Sequence, residues 1–213
     1  KAATEGDENI GYYFYDLNGK VNHIINDKNR LYLSVYSGDD KAYSKYKNFY
    51  VNDNERTDYD EEFGLKWGNF ISALRWNNVI NSRLFSNYTF TYSRYNFDLF
   101  SNYEEKITGL GATETNFYSD RYFSGIRDWA GRADFEFIPN PDHYFRFGTN
   151  VIFHKFSPGV YASKSSTGDN DLQLGADELN STEYAVYAED DINITSRLKG
   201  NLGLHYSGFN TDN

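Results

Sequence analysis

The sequence predicts an all-β fold, and three observations lead to this prediction. Apolar and polar residues alternate strictly in eight segments, helix-type periodicity is almost absent, and turn motifs separate the segments. Successive side chains of a strand point to opposite faces, so strict alternation indicates strands whose two faces meet different surroundings. We therefore expect eight antiparallel strands.

The eight predicted strands are recognised by their alternating apolar positions. They run from Tyr13 to Val21, Leu31 to Val35, Phe63 to Trp76, Leu84 to Tyr92, Trp129 to Phe137, Phe145 to Phe153, Tyr184 to Ile194 and Leu198 to Tyr206. In the third segment the apolar phase changes at Gly68 and Asn69, which predicts a β-bulge at that point.

Short and long connections alternate between these strands. Short turns are expected at 26–29, 77–83, 139–143 and 195–197, and longer links at 38–62, 95–126 and 157–183. Tight turns at one rim and longer loops at the other are typical of an outer-membrane barrel, whose tilted strands need about 9–11 residues to cross hydrocarbon. The sequence therefore predicts a segment of a transmembrane antiparallel β-barrel. A soluble β-sandwich is the alternative, because its strands also alternate.

The composition agrees with a membrane wall better than with a water-soluble core. The chain has 20 Tyr and 17 Phe but a mean hydropathy of −0.75, and no run of about 18 apolar residues that a spanning helix needs. Tyr and Trp collect at membrane interfaces, which would give the aromatic residues a place. A net charge of −10 disfavours a nucleic-acid partner, because phosphate contacts need clustered Lys and Arg.

Two sets of candidate functional residues follow from the predicted strands and links. If the apolar face meets lipid, the intervening polar side chains face a watery lumen: Arg132, Asp134, Glu136, Arg146 and Asn150. Aromatic residues in the long links could stack on a ligand or pack the loops together: Tyr43, Tyr46, Tyr50, Tyr118, Tyr122 and Tyr161. Acidic residues outnumber basic ones in these links, which slightly favours a neutral or cationic ligand.

No arrangement of residues indicates catalysis, so we expect the chain not to be an enzyme. The four His residues are scattered, and the chain lacks Cys and the HExxH motif. Acidic stretches at 52–62 and 168–178 could bind Ca²⁺ in loops, but neither has EF-hand spacing. We therefore predict neither a cofactor nor a metal site.

Three stretches carry a resemblance to a known family. They are YYFYDLNGKVNHIINDKNRLYLSVYSGDD (12–40), WGNFISALRWNNVINSRLFSNYTFTYSRYNF (67–97) and YAVYAEDDINITSRLKGNLGLHYSGF (184–209). They resemble barrel strands of TonB-dependent outer-membrane transporters, most closely those of the Bacteroidota, including relatives of SusC-like receptors.

The resemblance implies that residues 1–213 are part of one 22-stranded barrel domain. The plug domain and the segment that recruits TonB would then lie outside this sequence. The implied function is import, across the bacterial outer membrane, of a nutrient such as a glycan, peptide, metal chelate or vitamin. The implied partners are the TonB energy-transducing complex, outer-membrane lipid and a surface lipoprotein lid. Two alternatives stay open: a small non-transport barrel of eight strands with a structural or adhesive role, and a soluble glycan-binding β-sandwich.

Overall fold

A computed structural model describes residues 3–52, 54–109, 111–166, 168 and 171–212, and it contains nine β-strands. The strands are β1 (Ala3–Asn26), β2 (Asn29–Val51), β3 (Glu55–Asn81), β4 (Leu84–Gly109), β5 (Ala112–Asn140), β6 (His143–Ser165), β7 (Leu172–Gly175), β8 (Leu179–Asn193) and β9 (Lys199–Asp212). The predicted all-β fold class is confirmed. The eight predicted strands correspond to the eight long ones, and the four-residue β7 was not predicted.

All nine strands belong to one antiparallel sheet. Neighbours in the sheet follow the order β1-β2-β3-β4-β5-β6-β8-β9, and β7 pairs with β6 outside this path. Within the described residues β1 pairs only with β2, and β9 pairs only with β8. The sheet is therefore an open meander with one unpaired edge at each side.

The connections lie at two opposite ends of the sheet. One end, which we call the lower end, carries the turns at 27–28, 82–83, 141–142 and 194–198. The upper end carries the connections at 52–54, 110–111 and 166–178. Gly111 has a φ of 86°, a left-handed conformation that glycine adopts without steric cost, and it allows β4 to turn directly into β5.

The prediction of long loops at 38–62 and 95–126 is wrong, because both ranges are mostly strand. β2 continues to Val51 and β3 begins at Glu55, while β4 continues to Gly109 and β5 begins at Ala112. The third link is only partly a loop, since β6 extends to Ser165 and β8 begins at Leu179. Consequently β1 to β6 are 23 to 29 residues long, well beyond the usual strand length of about 5–6 residues.

The predicted bulge at Gly68 and Asn69 is also wrong. β3 pairs with both neighbours in an unbroken register through these residues, and its only register shift lies near the lower turn, between Val79 and Asn81. The apolar residues change phase at this point because they change face: those before Gly68 and those after Asn69 lie on opposite sides of the sheet.

The sheet has no apolar core of its own. Among the residues that the structure describes, no hydrophobic side chain is buried, and the buried polar ones are Ser86, Ser165 and Ser181. Large apolar side chains are instead exposed, including Leu204 (85%), Leu202 (70%) and Val21 (65%). The described chain also contains no helix of the length and hydropathy needed to span a membrane. Burial of its apolar surface therefore requires something outside the sheet.

Candidate functional site: the two faces of the sheet

The cross-strand register assigns every strand residue to one of two faces. We call the side that carries Phe135 and its direct partner Phe147 face A, and the side that carries Arg132 and its partner Asn150 face B. Directly paired residues lie on the same face, so the assignment extends across all strands. The upper half of the sheet comprises residues 7–17, 37–51, 55–70, 94–109, 112–127 and 155–165; the remainder of the long strands is the lower half.

Face A of the lower half carries a continuous apolar band. On β4, β5 and β6 it extends from Leu84 to Tyr92, from Trp129 to Phe137 and from Phe145 to Phe153, a length of nine residues with five face A positions on each strand. Its rings contact one another across the strands: the centroids of Tyr92 and Trp129 are 4.4 Å apart, and Phe135 stacks on Phe147 at 5.1 Å. The band is as long as a tilted strand needs to cross the hydrocarbon of a bilayer, about 9–11 residues.

Face B of the lower half is a polar network. The five residues predicted to face a lumen all lie on it, because Arg132 pairs with Asn150, Asp134 with Gly148, and Glu136 with Arg146. Asp134 accepts hydrogen bonds from Arg132 Nε at 2.8 Å and from the Tyr187 hydroxyl at 2.7 Å.

The same network continues around Arg146. Its Nε lies 2.9 Å from Glu189 Oε1, and its terminal nitrogen donates to Asp191 at 2.8 Å. Glu136 accepts a hydrogen bond of 2.7 Å from the Tyr144 hydroxyl. The polar side chains of this face therefore bond to one another, as expected where water or another polar surface meets them.

The two faces exchange character in the upper half. Face B now carries most of the aromatic residues, which are Tyr12, Phe14, Tyr46, Tyr50, Tyr59, Phe63, Trp67, Tyr95, Phe97, Tyr103, Tyr118, Tyr122, Phe156 and Tyr161. We call this set the aromatic surface. Face A carries the basic residues together with eight aromatic ones, and many of its charged residues form ion pairs; Lys41 lies 2.9 Å from Glu62, for example.

The aromatic surface contains two lines of contacting rings. In one, Tyr12 contacts Trp67 with centroids 6.3 Å apart, Trp67 pairs in register with Phe97, and Phe97 meets Tyr122 edge-on at 6.4 Å. Tyr122 pairs in turn with Tyr161. The first line thus crosses the sheet from β1 to β6.

The second line runs nearer the upper end and connects three Tyr residues. Tyr103 lies 6.4 Å from Tyr59 and 6.2 Å from Tyr118, measured between ring centroids. Burial raises the pKa of the Tyr103 hydroxyl, and neighbouring carboxylates, among them Glu105, add to the shift. This phenol therefore stays neutral and remains a hydrogen-bond donor at ordinary pH.

The six predicted ligand-binding aromatics lie on strands rather than in loops. Tyr46, Tyr50, Tyr118, Tyr122 and Tyr161 share face B, as part of the aromatic surface. Tyr43 does not join them, because it pairs with Gly11 and Gly64 on face A. Tyr43 occupies an odd-numbered position of β2, whereas Tyr46 and Tyr50 occupy even-numbered ones, and odd and even positions of a regular strand point to opposite faces.

The basic residues of the upper half lie on one face, whereas its acidic residues lie on both. Every described Lys and Arg there lies on face A: Lys41, Lys45, Lys47, Arg56, Lys66, Arg94, Lys106, Arg121, Arg127, Lys155 and Lys164. On the upper half of face B, all the described charged residues are acidic, and they lie among the aromatic ones: Glu8, Asp16, Asp40, Glu55, Glu61, Glu105, Glu114 and Asp120. The aromatic surface is therefore acidic.

Tyrosine hydroxyls hold several of these carboxylates in place. Tyr12 donates a hydrogen bond to Asp40, and Tyr161 donates one to Asp120 at 2.6 Å. The hydrogen bond from Tyr161 lowers the pKa of Asp120, with a further contribution from Ser163. The Asp120 carboxylate is therefore charged over the whole neutral range.

The aromatic surface also contains residues that were not among the six predicted binding residues, for example Tyr12, Trp67 and Phe97. A signal for Trp67 was present in the sequence, because Phe63, Leu65 and Trp67 alternate in the phase opposite to Phe70 and the residues that follow. That change of phase was attributed to a bulge, although it marks the point where the apolar side chains change face.

The described part of the chain offers no candidate metal site. Within the described ranges no group of three or more His, Asp or Glu side chains is placed to hold a metal ion. The predicted acidic stretch at 52–62 lies largely in β3, where Asp58 and Asp60 form ion pairs with Arg56 and Lys47.

Comparisons with known proteins gave resemblances in structure only. The ferric preacinetobactin receptor BauA from Acinetobacter baumannii has a TM-score of 0.44 and 6% identity, over 99% of this chain and 41% of its own. The ferric-catecholate import receptor Fiu from E. coli K12 has, in its open form, a TM-score of 0.44 and 11% identity, over 99% of this chain and 44% of its own. The closed form of Fiu has a TM-score of 0.41 and 12% identity, over 99% of this chain and 40% of its own.

This chain therefore spans about two fifths of the length of the structures it resembles. No family model and no curated protein matches it.

Proposed function

We propose that this chain is a wall segment of a TonB-dependent transporter of the bacterial outer membrane. In this proposal face A of the lower half meets lipid, face B lines the lumen, and further strands of a longer protein close the barrel. The plug and the segment that contacts TonB belong to that longer protein. The finer assignment, to the Bacteroidota and the relatives of SusC-like receptors, rests on the sequence resemblance.

The observation that carries the proposal is the apolar band on face A, exposed on a sheet that buries no apolar side chain in its described part. Water-soluble monomers rarely expose apolar patches beyond a few hundred Å², because each Å² removed from water contributes about 25 cal/mol. Lipid accepts such a band without cost, and the polar network on face B keeps its contact with water. A soluble β-sandwich would need a second layer over face A, and the described chain forms one sheet.

A small closed barrel of eight strands fits less well. Its interior would hold side chains only, whereas the aromatic surface presents rings that are 38–57% exposed, including Tyr46, Tyr12 and Tyr118. The edges of β1 and β9 also face no strand within the described residues. A larger barrel leaves room for a ligand above face B.

The aromatic surface is the ligand-facing surface in this proposal. Its rings offer flat apolar faces, and its carboxylates occur without any described Lys or Arg on the upper half of the same face. Such a surface attracts cationic groups by charge and by cation–π contact, stacks on neutral sugar rings, and repels polyanions. We therefore expect a neutral or cationic nutrient, such as a glycan or a peptide, rather than an anionic one.

Uptake by cells that express the full-length protein tests this proposal. Tyr122→Ala and Trp67→Ala should each reduce uptake or binding of the transported nutrient about tenfold, since one stacking contact is worth about 0.5–1.5 kcal/mol beyond its buried area. Loss of TonB function should abolish uptake while leaving binding at the cell surface intact.

Tyr43→Ala is the matched control for these variants. It removes the same ring from the same half of the sheet, but from face A, so binding should stay within about twofold of wild type. The proposal fails if Tyr43→Ala impairs binding as strongly as Tyr122→Ala. It also fails if the protein fractionates with soluble proteins.

A further inference from the structure

Three cations lie side by side on face A, directly above the apolar band. Arg94 on β4 pairs in register with Arg127 on β5, and Arg127 pairs with Lys155 on β6. The next residues down the same face are Tyr92, Trp129 and Phe153, the upper border of the band. We refer to Arg94, Arg127 and Lys155 as the cation row.

Like charges placed directly opposite each other across two strands destabilise a sheet. Carboxylates of the chain neutralise only part of the positive charge of the cation row. Lys155 has a carboxylate partner, Glu178, at 2.7 Å, whereas Arg94 and Arg127 have no hydrogen bond or ion pair with any described residue. The nearest acid above them on β4, Asp98, is already bonded to Arg121 Nε at 2.7 Å. Two guanidinium groups therefore lie next to each other on an exposed face without a carboxylate bonded to either, although the charge of Arg127 contributes to the lowered pKa of Glu178.

The surroundings of the two arginines leave space for a ligand. The residues above them on face A are small or uncharged: Asn96 on β4, Gly125 on β5 and Gly68 on β3. A shallow cavity of about 330 Å³ opens at this level and is lined by Gly68, Asn96 and Asp98 together with Lys66 and Arg121. The carboxylate of Asp39 also lines this space, and Arg94 and Arg127 lie one row below it.

From this geometry we infer that Arg94 and Arg127 form a binding site for the phosphate of a membrane lipid, whose acyl chains lie on the apolar band below. Guanidinium groups bind phosphate through paired N–H donors, and two of them can share one phosphate group. Trp129 and Tyr92 lie at the depth where aromatic side chains mark a membrane interface. The inference rests on the proposed membrane location but not on transport or on the ligand of face B.

The position of the site on the sheet supports a lipid rather than a soluble phosphate. On β1, β2 and β3 the same row contains Leu17, Ser37 and Phe70, which are uncharged, so the cations are confined to β4, β5 and β6. The apolar band reaches its full length of nine residues on these same three strands. A phosphate bound here therefore lies directly above the widest apolar surface of the sheet.

Stability of the full-length protein in two kinds of vesicle tests the inference. Arg94→Gln with Arg127→Gln removes the like-charge contact, so in pure phosphatidylcholine the variant should unfold at the same or a higher urea concentration than wild type. In vesicles of phosphatidylcholine and phosphatidic acid in equal parts, wild type should gain stability and the variant should not. The sign of the difference between the two proteins should thus reverse with the lipid.

A matched control removes two arginines from face B, Arg75→Gln with Arg132→Gln. Its net charge change is the same, and its response to phosphatidic acid should equal that of wild type. Arg94→Lys with Arg127→Lys keeps the charge but loses the paired donors, so it should retain part of the response.

Inorganic phosphate added to phosphatidylcholine vesicles separates the two sources of the ligand. Stabilisation of wild type by inorganic phosphate equal to that by phosphatidic acid would overturn the lipid assignment. An unchanged phosphatidic-acid response in Arg94→Gln with Arg127→Gln would overturn the site itself. Failure of all these proteins to enter vesicles would contradict the proposed membrane location, whereas normal insertion without uptake would contradict only the transport function.

Discussion

Val186 offers a direct test of which face meets lipid. It lies on face A of β8, is 50% exposed, and pairs with Thr149 and Tyr206. Thr149 is the middle face A position between Phe145 and Phe153, so Val186 lies in the middle row of the apolar band. Replacement by Arg would place a charge at the centre of the hydrocarbon.

The expected magnitude follows from the height of the band. Eight steps of about 3.3 Å give about 26 Å along the strand, and a tilt of about 40° reduces this to about 20 Å across the membrane. Val186 is then about 10 Å from either border of the band, so the guanidinium of an Arg at this position does not readily reach water. An Arg near the midplane of a barrel wall costs about 2–4 kcal/mol. At 1.4 kcal/mol for each factor of ten, the ratio of folded to unfolded protein falls about 30- to 700-fold.

Ala185 provides the matched control, since it neighbours Val186 in sequence but lies on face B between Asn150 and Ser207. Ala185→Arg should change the free energy of unfolding by no more than about 0.5 kcal/mol. Urea titration of the full-length protein in vesicles, followed by tryptophan fluorescence, measures both variants. The assignment of the faces is refuted if Ala185→Arg is the more damaging substitution, or if Val186→Arg unfolds like wild type.

Three further outcomes are expected. Tyr187→Phe removes the 2.7 Å hydrogen bond to Asp134 and should cost about 0.5–1.5 kcal/mol in the same titration; no loss would mean that water replaces the hydroxyl. The 213-residue segment alone should give no solute flux in liposome swelling, because lipid cannot satisfy the open edges of β1 and β9; flux would contradict the proposed larger barrel. On intact cells a glutamate-specific protease should cleave at Glu178, at the upper end, and trypsin should spare Arg197, in a lower turn; the opposite pattern would reverse the orientation.

The sequence by itself determined the strands of the lower half. Phe135, Phe137, Phe145 and Phe147 alternate with polar residues around the turn at 141–142, and this local period is enough to predict both the hairpin and the grouping of Arg132 with Asn150. Alternation is a property of neighbouring residues along one strand. Alternation can therefore be recognised without any knowledge of the partner strands.

The upper half could not be predicted in the same way, because there the apolar residues change face. Near Gly68, Asp39 and Gly125 the apolar residues stop alternating in the same phase, and this change predicted loops and a bulge where the strands in fact continue. Only pairing with the adjacent strands shows that the register is unbroken. The tertiary structure alone therefore decided that Tyr46 and Tyr122 lie on strands and share a face.

The separation of Tyr43 from the other candidates has the same physical cause. A strand residue is assigned to a face by its parity, but parity has meaning only once the strand is known to be continuous. The cation row likewise depends on register, since Arg94, Arg127 and Lys155 are far apart in sequence and meet only through β4, β5 and β6. The alternation of apolar and polar residues along the sequence predicts the strands, while the register between strands decides which side chains form a surface.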